Sequence, residues 1–475
     1  MPKLYVFAIG GTGSRVLRSL TMLAAAGVDI QANEIVPVII DPDASNADLT
    51  RAVTLMNSYS SIREGIDYTN KNETSFFKCE ISQIVQNYSL HIKDTNNRRF
   101  DQFIEYSALS TENKAMMSML FSEKNLDAQM QVGFKGNPNI GSVVLNQIVS
   151  SPQFTQFANS FAGGDKIFII SSIFGGTGAS GFPLLLKTLR DPRATFPNRG
   201  LINGAQIGAV TILPYFKLQP STTSEIDSST FISKARAALA YYETNVVGND
   251  SINALYYLAD DGDIYDNNDG GCLQQNPAHI IELIAATAAI NFINANYSGK
   301  HVNLEFGIND VNDNDGVTFG DFYPETQTLL MKPMTQLAMM ANFLTKGSKQ
   351  MSMLMGDDLA ANNKICAKEK FYSSSYFKEL VLFMEKYKEW LRELSNNKRS
   401  LNLFNLNCGD KPFELVTDRK PNQTSIFGLG KKDYESFYGA LNKASGAVRG
   451  GKASSLFMEM FSRATKKLAE DKLKM

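Results

Sequence analysis

IFGGTGASGFPLLL, residues Ile173–Leu186, joins a strand-like apolar run to a segment whose apolar residues have helical spacing. Its four glycines let the main chain come close to an anion, because no β-carbon shields the backbone N–H groups. The helix that follows would point its partly positive N-terminus at the same anion, and Thr177 and Ser180 can add hydroxyl donors. The stretch therefore predicts a phosphate-binding loop between a strand and a helix.

This loop is not a Walker A motif. Gly176 and Gly181 have the required separation, but Phe182 and Pro183 stand where a P-loop needs Lys and Ser or Thr. The sequence therefore argues against a P-loop NTPase.

A second glycine-rich loop, AIGGTGSRVLRSL at Ala8–Leu20, follows the strand-like run Leu4–Ile9. Gly11 and Gly13 fit the dinucleotide fingerprint G-x-G-x-x-G, but Val16 occupies its third position. Two glycine-rich loops at the carboxyl ends of separate strands can surround a polyphosphate from two sides, which a simple dinucleotide site does not need.

The rest of the chain indicates a doubly wound α/β fold. Further strand-like runs at Ile35–Ile40, Gly208–Leu213 and Ala254–Ala259 are separated by segments long enough to hold a helix, which favours a parallel sheet. Beyond about residue 345 the pattern becomes largely helical. We therefore expect a nucleotide-binding domain at residues 1–295, with a central helix at 276–293, and a second domain at 296–475 with an acidic loop and helical C-terminal region.

Composition excludes several classes of protein. The 47 basic and 48 acidic residues nearly cancel, so nucleic-acid binding is not expected. Four dispersed cysteines and three isolated histidines give no metal-ligand spacing, so no protein-held metal site is predicted. The N-terminus lacks signal-peptide features, and the apolar stretch Ile280–Ile293 is interrupted by Glu282 and too short to cross a bilayer. We expect a cytoplasmic protein without a membrane segment.

The order of several motifs resembles the tubulin/FtsZ superfamily over about residues 1–345. Ile173–Leu186 looks like the family's G-G-[TS]-G-[ST]-G signature, and Gly10–Ser14 is similar to its first phosphate loop. Asp41–Asp43 resembles its acidic second loop, GNPNIG at Gly136–Gly141 its third loop, and VTILPYF at Val210–Phe216 its loop beside the ribose. Specificity comes from the ordered set of motifs, since no single one would suffice.

The resemblance implies a GTP or GDP ligand with Mg²⁺ bridging its phosphates. Asp41 or Asp43 could hold a water molecule of that ion, and Asn276 or His279 at the start of the central helix could read the base edge. The residues implied in nucleotide binding are Gly10, Gly11, Thr12, Gly13, Ser14, Asp41, Gly136, Asn137, Pro138, Gly141, Gly175, Gly176, Thr177, Gly178, Ala179, Ser180, Pro214 and Asn276.

The resemblance also implies a catalytic loop. In the family, acids from a loop after the central helix enter the nucleotide pocket of the next subunit and orient the attacking water. Here TFGD at Thr318–Asp321 resembles the family's D-F-A-D, so Asp321 is the expected catalytic acid. Thr318 stands where the other acid would be, and nearby Asp315, Asp313 or Asp310 could substitute. A head-to-tail assembly of subunits follows from a shared site of this kind.

Three functions stay open at the level of sequence. The first is a tubulin-like GTPase that assembles into filaments. The second is a nucleotide-gated protein that hydrolyses poorly and engages a protein partner through its C-terminal helical region, which the missing second acid favours. The third is an NAD-binding Rossmann enzyme with Asp41 on the ribose. FtsZ-type proteins carry a base-contacting Asn at the position of Ser14. The preference for guanine over adenine is therefore an expectation that comes from the family resemblance and not from this residue.

Overall fold

A computed structural model describes most of the chain. The described residues are 1–43, 45–68, 73–95, 97–130, 133–134, 136–218, 230–260, 265–266, 275–309, 316–346, 368–408, 411–422, 433–448 and 451–475.

The molecule is built on a seven-stranded sheet in which every paired strand is parallel, in the order β3-β2-β1-β4-β5-β7-β9. Its central strands read as continuous apolar runs because helices cover both faces. The predicted α/β class with a doubly wound parallel sheet is confirmed. The strands are β1 Lys3–Ile9, β2 Glu34–Ile40, β3 Glu80–Ile81, β4 Lys166–Ser172, β5 Gln206–Ile212, β7 Ala254–Leu258 and β9 Val302–Glu305; β6 Lys217–Leu218 and β8 Tyr265–Asp266 pair separately.

The strand order reverses direction between β1 and β4. The chain runs outward from β1 to β2 and β3, returns to β4 on the other side of β1, and then continues to β5, β7 and β9. In open α/β sheets, ligands bind at the carboxyl ends of the strands beside such a switch point. The strand order therefore indicates that a ligand site would be formed by the loops that follow β1 and β4.

Helices cover both faces of the sheet. Gly13 of the first helix lies against Ala8, and Gly181 of the helix after β4 lies against Ile9. Consecutive strand residues point to opposite faces, so these two helices are on opposite sides. The helices are α1 Gly10–Ala26, α2 Ala47–Glu64, α3 Phe100–Phe103, α4 Thr111–Leu120, α5 Glu123–Leu126, α6 Pro138–Leu145, α7 Pro152–Ser160, α8 Gly176–Arg190, α9 Arg199–Asn203, α10 Phe231–Tyr242, α11 Ile280–Asn294, α12 Pro324–Leu344, α13 Lys368–Tyr372, α14 Ser375–Asn396, α15 Asp433–Ala447 and α16 Ala453–Leu473.

The predicted central helix is α11, but it begins at Ile280 and not at residue 276. Pro277 disfavours helical geometry at Asn276. His279 is extended and caps the helix, with its Nδ1 accepting a hydrogen bond from the Ile281 N–H at 3.0 Å. Glu282 completes the capping box. The residues before the helix are consequently a separate segment, Asn276–His279, called the 276–279 segment below.

The C-terminal region is largely helical, as predicted. Helices α12, α14 and α16 pack together, and α15 packs on α16; these four are called the C-terminal helical layer. The layer covers the α1 side of the sheet, with α12 against α1 and α14 against α2. One contiguous cluster of buried apolar residues runs through the sheet and this layer. Strand β9, beyond residue 295, is the edge of the main sheet, and the proposed division at 295/296 stays a prediction.

Among the described residues, no helix is both long and apolar enough to traverse a bilayer.

Candidate functional site

Two glycine-rich loops meet at the switch point. Gly10–Ser14, called the α1 loop, forms the first turn of α1, and Gly175–Ser180, called the α8 loop, begins α8. Gly10 has a left-handed φ of 72°, and a β-carbon placed on it would lie 3.4 Å from Thr177 Cβ. The loops after β1 and β4 therefore lie close together, about one side-chain atom apart at Gly10, and open at the same edge of the sheet.

A third loop completes this cradle. Gly136–Gly141, called the α6 loop, contains the first turn of α6. A β-carbon on Gly176 would lie 3.2 Å from both the Gly136 and Asn137 backbone nitrogens, so the main chains of the α6 and α8 loops approach closely. At Gly141 a β-carbon would collide with the Ser180 side chain. All three predicted phosphate loops thus converge at one place.

The three helices that begin in these loops start without side-chain caps. In α1, α6 and α8 the N-cap residues, Ile9, Asn137 and Gly175, form no side-chain hydrogen bond with the first-turn N–H groups, and no first-turn residue is acidic. The first N–H groups of a helix have no partner within the helix and carry its partial positive charge. The convergence of three such helix starts makes a region of positive potential lined by main-chain donors.

The hydroxyl groups of the cradle differ in whether they already form a hydrogen bond within the protein. Ser180 Oγ donates to the Gly176 carbonyl at 2.7 Å, so its use as a donor to a ligand would require that bond to break. Ser14 is fully buried, and its hydroxyl has no hydrogen-bond partner among the described residues. Thr177 is part-exposed beside Gly10. The Ser14 hydroxyl therefore has unused hydrogen-bonding capacity, and the Thr177 side chain is accessible to a ligand.

Two glycines of the set have a packing role as well. A β-carbon on Gly13 would lie 2.6 Å from the carbonyl carbon of Ala8, and one on Gly178 would lie 2.5 Å from the Ser172 carbonyl oxygen. Backbone atoms cannot give way as a flexible side chain can. Gly13 and Gly178 thus let α1 and α8 pack directly on the strands that precede them. Gly11, Thr12 and Ala179 lie within these same helix starts.

An acidic turn follows β2. Asp41 is part-buried, and one of its carboxylate oxygens accepts a hydrogen bond from the Asp43 N–H at 3.0 Å. Burial raises the pKa of Asp41 to about 7, against the lowering effect of that hydrogen bond. Asp43 is buried and accepts hydrogen bonds from the Ser45 N–H and hydroxyl. Because β2 is next to β1, this turn is beside the α1 loop at the same edge of the sheet.

The loop after β5 contacts the first turns of α1 through a buried network. Pro214 is followed by Tyr215, whose hydroxyl donates to Glu282 Oε1 at 3.2 Å. Glu282, on α11, also forms an ion pair with Arg15 of α1 at 2.5 Å, and both side chains are almost fully buried. The Arg15 guanidinium lies 5.7 Å from the centre of the Tyr215 ring. The ion pair joins α1, α11 and the β5 loop directly behind the cradle.

The 276–279 segment has most of its main-chain polar groups bound by side chains. Asn276 N–H and its side-chain amide both donate to Asp48, at 3.1 and 3.0 Å, and Arg51 donates to the Asn276 carbonyl at 2.9 Å. Arg15 donates to the Pro277 carbonyl at 3.1 Å. These bonds hold the segment between the starts of α1, α2 and α11. The Asn276 amide nitrogen is thereby engaged with Asp48, and base recognition by this residue stays a prediction.

The remaining bonds of the segment come from its own helix and from the C-terminal helical layer. Glu393 of α14 accepts from Ala278 N–H at 2.8 Å, Asn397 donates to the Ala278 carbonyl at 3.0 Å, and Glu282 accepts from His279 N–H at 3.2 Å. Burial lowers the pKa of His279, the nearby Arg15 and Arg399 lower it further, and Asp260 at 3.5 Å opposes them. His279 is therefore a buried neutral cap.

The expected catalytic loop follows β9. Asp321 lies in a short 3-10 turn, Phe319–Asp321, and its carboxylate accepts hydrogen bonds from the Thr318 N–H at 2.7 Å and hydroxyl at 2.8 Å. Thr318, in the place of the second acid, thus positions Asp321. Asp315, together with Asp310 and Asp313, lies outside the described residues, and the catalytic role of either acid stays a prediction.

Sequence reasoning missed the charged residues of the network behind the cradle. Arg15 in SRVLRSL and Glu282 in IIELIAATAAI each interrupt an apolar helical stretch. A charged residue at such a position is the sequence signal that could have indicated a buried ion pair. A charge in a buried stretch needs a partner. Which residue is the partner depends on the tertiary structure, since Glu393 lies 375 positions from Arg18.

Comparison with known proteins adds a distant structural likeness. No protein-family model and no curated protein sequence matches this chain. Among solved structures, CetZ from Methanosaeta thermophila strain DSM 6194 aligns with 55% of this chain and 46% of its own, at 14% identity and a TM-score of 0.26. The chain thus spans less than half the length of CetZ. The parallel sheet itself fits a Rossmann-like or a tubulin-like fold.

Proposed function

We propose that this protein binds GTP in the manner of the tubulin/FtsZ superfamily, with the triphosphate in the cradle formed by the α1, α6 and α8 loops. The observation that carries the proposal is the close approach of Gly10 to Thr177 at the switch point of the sheet. This approach brings together the α1 and α8 loops, and the sequence pattern predicts phosphate binding for each of them separately.

The residues of the cradle fit a polyphosphate. Three uncapped helix starts offer main-chain N–H donors, and none has an acidic first-turn residue that would repel an anion. The buried Ser14 hydroxyl has no partner among the described residues, and leaving such a group unpaired costs about 1–3 kcal/mol. A bound phosphate or a water molecule would recover that cost.

A magnesium ion fits the acidic turn. Mg²⁺ in phosphate sites takes few protein ligands and keeps several waters, and a carboxylate such as Asp41 beside the α1 loop can hold one of them. A neighbouring cation would also favour the ionised form of Asp41, whose pKa burial raises to about 7. The ion would neutralise charge on the phosphates, while the protein's own groups orient them.

For hydrolysis, the proposed catalytic acid is Asp321 acting on the nucleotide of a neighbouring subunit. Its turn follows β9, which is four strand positions from β1, or roughly 19 Å across the sheet. That separation favours action on a second copy over action on the chain's own cradle, and a head-to-tail filament would result. The alternative is a nucleotide-gated protein with weak hydrolysis whose C-terminal helical layer engages a partner.

The substitution Thr177→Asp tests triphosphate binding. An acid in the first turn of α8 is favourable for the unliganded helix, because it complements the helix dipole. The same charge faces the proposed triphosphate, so GTP affinity should fall roughly 100-fold or more while the melting temperature is unchanged or higher. Isothermal titration calorimetry measures the affinity, and thermal unfolding the stability.

Thr188→Asp is the matched control, since Thr188 lies near the other end of the same helix. It should keep GTP affinity. Equal affinity of the wild type and Thr177→Asp would contradict the cradle assignment, and tight binding of NAD by the wild type would favour the Rossmann alternative. GTP turnover that rises more than linearly with protein concentration and is lost in Asp321→Ala would support the shared site.

A further inference from the structure

We infer that Glu393, in the C-terminal helical layer, is a positioning residue for the base-binding side of the nucleotide site. The inference rests on the proposed function and takes the nucleotide base to lie beside the 276–279 segment, which Arg15, directly after the α1 loop, joins to α1 by its hydrogen bond to the Pro277 carbonyl. It adds that a residue more than a hundred positions beyond that segment holds it in the binding conformation.

The geometry places one carboxylate among three elements. Glu393 accepts hydrogen bonds from both Arg18 terminal nitrogens, at 2.5 and 3.1 Å, and from Arg51 at 2.5 Å. Its Oε2 also accepts from the Ala278 N–H at 2.8 Å. Arg18 is on α1, Arg51 on α2 and Ala278 directly before α11, so one side chain contacts all three elements that begin at this part of the sheet edge.

The charge balance makes the arrangement strong. Burial alone would raise the pKa of Glu393, but the hydrogen bonds and charges of Arg18 and Arg51 outweigh it and lower the pKa below its usual value. Glu393 is therefore ionised at neutral pH. Hydrogen bonds to a charged acceptor in a low-dielectric environment are worth about twice those of neutral pairs.

Arg51 shows how the effect reaches the segment. One terminal nitrogen of Arg51 donates a hydrogen bond to Glu393, and the other donates to the Asn276 carbonyl. Glu393 thus acts on the segment twice, directly at Ala278 and through Arg51 at Asn276. Asn397, which directly follows α14 and lies one turn after Glu393, donates to the Ala278 carbonyl at 3.0 Å, so the end of α14 contacts both polar groups of that residue.

The consequence concerns the base and not the phosphates. The 276–279 segment precedes the first turn of α11, and side chains of α1, α2 and α14 bind its main-chain polar groups. A segment that is already ordered does not require the ligand to supply the cost of ordering it. Loss of Glu393 should therefore weaken recognition of the nucleoside and leave triphosphate binding, which depends on the α1, α6 and α8 loops, intact.

The test compares two ligands on the full chain by calorimetry: GTP, and inorganic tripolyphosphate, which lacks the nucleoside. In Glu393→Gln, GTP affinity should fall roughly tenfold or more, because a neutral amide cannot accept from both arginines and from Ala278 N–H. Tripolyphosphate affinity should change less than about twofold. Glu389→Gln, which neutralises an exposed acid one turn earlier on α14, should change neither.

Asn397→Ala is a second variant that tests the inference if Glu393→Gln does not fold. It removes one neutral hydrogen bond, so GTP affinity should fall about threefold with tripolyphosphate unchanged. Unchanged GTP affinity in a folded Glu393→Gln, or equal loss for both ligands, would overturn the inference. A wild type that binds tripolyphosphate as tightly as GTP would also overturn it, whereas a wild type that binds neither would overturn the proposed function itself.

Discussion

The cradle and the 276–279 segment lie at the same edge of one sheet but use their main-chain polar groups in opposite ways. The helix starts of the cradle have no side-chain caps. In the segment, the main chain is bound by side chains from three helices: Arg15 of α1, Asp48 and Arg51 of α2, and Glu393 of α14. Under the proposed function, the cradle would supply main-chain donors for the phosphates, and the segment would supply an ordered wall for the rest of the nucleotide.

Side-chain caps are present on several other helices of the chain, although α9, α10, α12 and α16 also begin without one. Asn46 caps α2, Ser110 caps α4, Ser151 caps α7 and Ser374 caps α14, each by accepting a hydrogen bond from a first-turn N–H group. A side-chain cap contributes about 0.5–2 kcal/mol to stability. The three helix starts of the cradle lack that contribution, and they differ from the other uncapped helices in that they meet at one place.

The largest effect is expected from removing a charge of the buried network. Glu282→Leu leaves Arg15 buried beside Tyr215 without its carboxylate, so the free energy of unfolding should fall by about 3–5 kcal/mol. Urea unfolding followed by circular dichroism measures it. Glu389→Leu, at an exposed position of α14, should cost less than about 0.5 kcal/mol. A similar small loss in Glu282→Leu would show that the network does not hold the segment.

A smaller effect is expected from the pH dependence of stability. The pKa of His279 is lowered in the folded protein, so below about pH 6.5 the unfolded chain binds a proton that the folded chain does not. Stability from this group is complete above that pH and is lost as pH falls, by up to about 1.4 kcal/mol per pH unit. His279→Asn, which keeps a capping side chain, should reduce this slope.

The slope is measured by urea unfolding between pH 7 and pH 4.5. His91→Asn, at an exposed position, is the control and should leave the slope as in the wild type. A wild-type slope in His279→Asn would mean that His279 is not a buried neutral cap.

The smallest effect on stability is expected at Ser14. Ser14→Ala removes a buried hydroxyl that has no partner among the described residues, so the unliganded protein should be equally stable or gain up to about 1 kcal/mol. If the hydroxyl serves the ligand, GTP affinity should fall roughly threefold to tenfold. Thermal unfolding with and without GTP measures both effects. Lower stability without ligand would show that the hydroxyl has a partner within the protein.

Much of the cradle was predictable because its signals are local. Glycines in Gly10–Ser14 and Gly175–Ser180 follow apolar strands and precede helical spacing, and parallel strands bring their carboxyl ends to one edge. The sequence pattern puts the start of α11 four residues too early, because the capping role of His279 depends on its surroundings. It also predicts Ser180 and Asn276 as ligand contacts, because their hydrogen bonds to Gly176 and Asp48 cannot be read from the sequence.

The sequence by itself determined the parallel α/β class, the position of the glycine-rich helix starts and the helical character of the C-terminal region. Periodicity and the absence of β-carbons act over a few residues, so they can be read along the chain. Only the tertiary structure decided which charges meet. The contact of Glu393 with Arg18, Arg51 and Ala278 joins residues more than a hundred positions apart, because burial forces charged groups to pair wherever the packed helices bring them together.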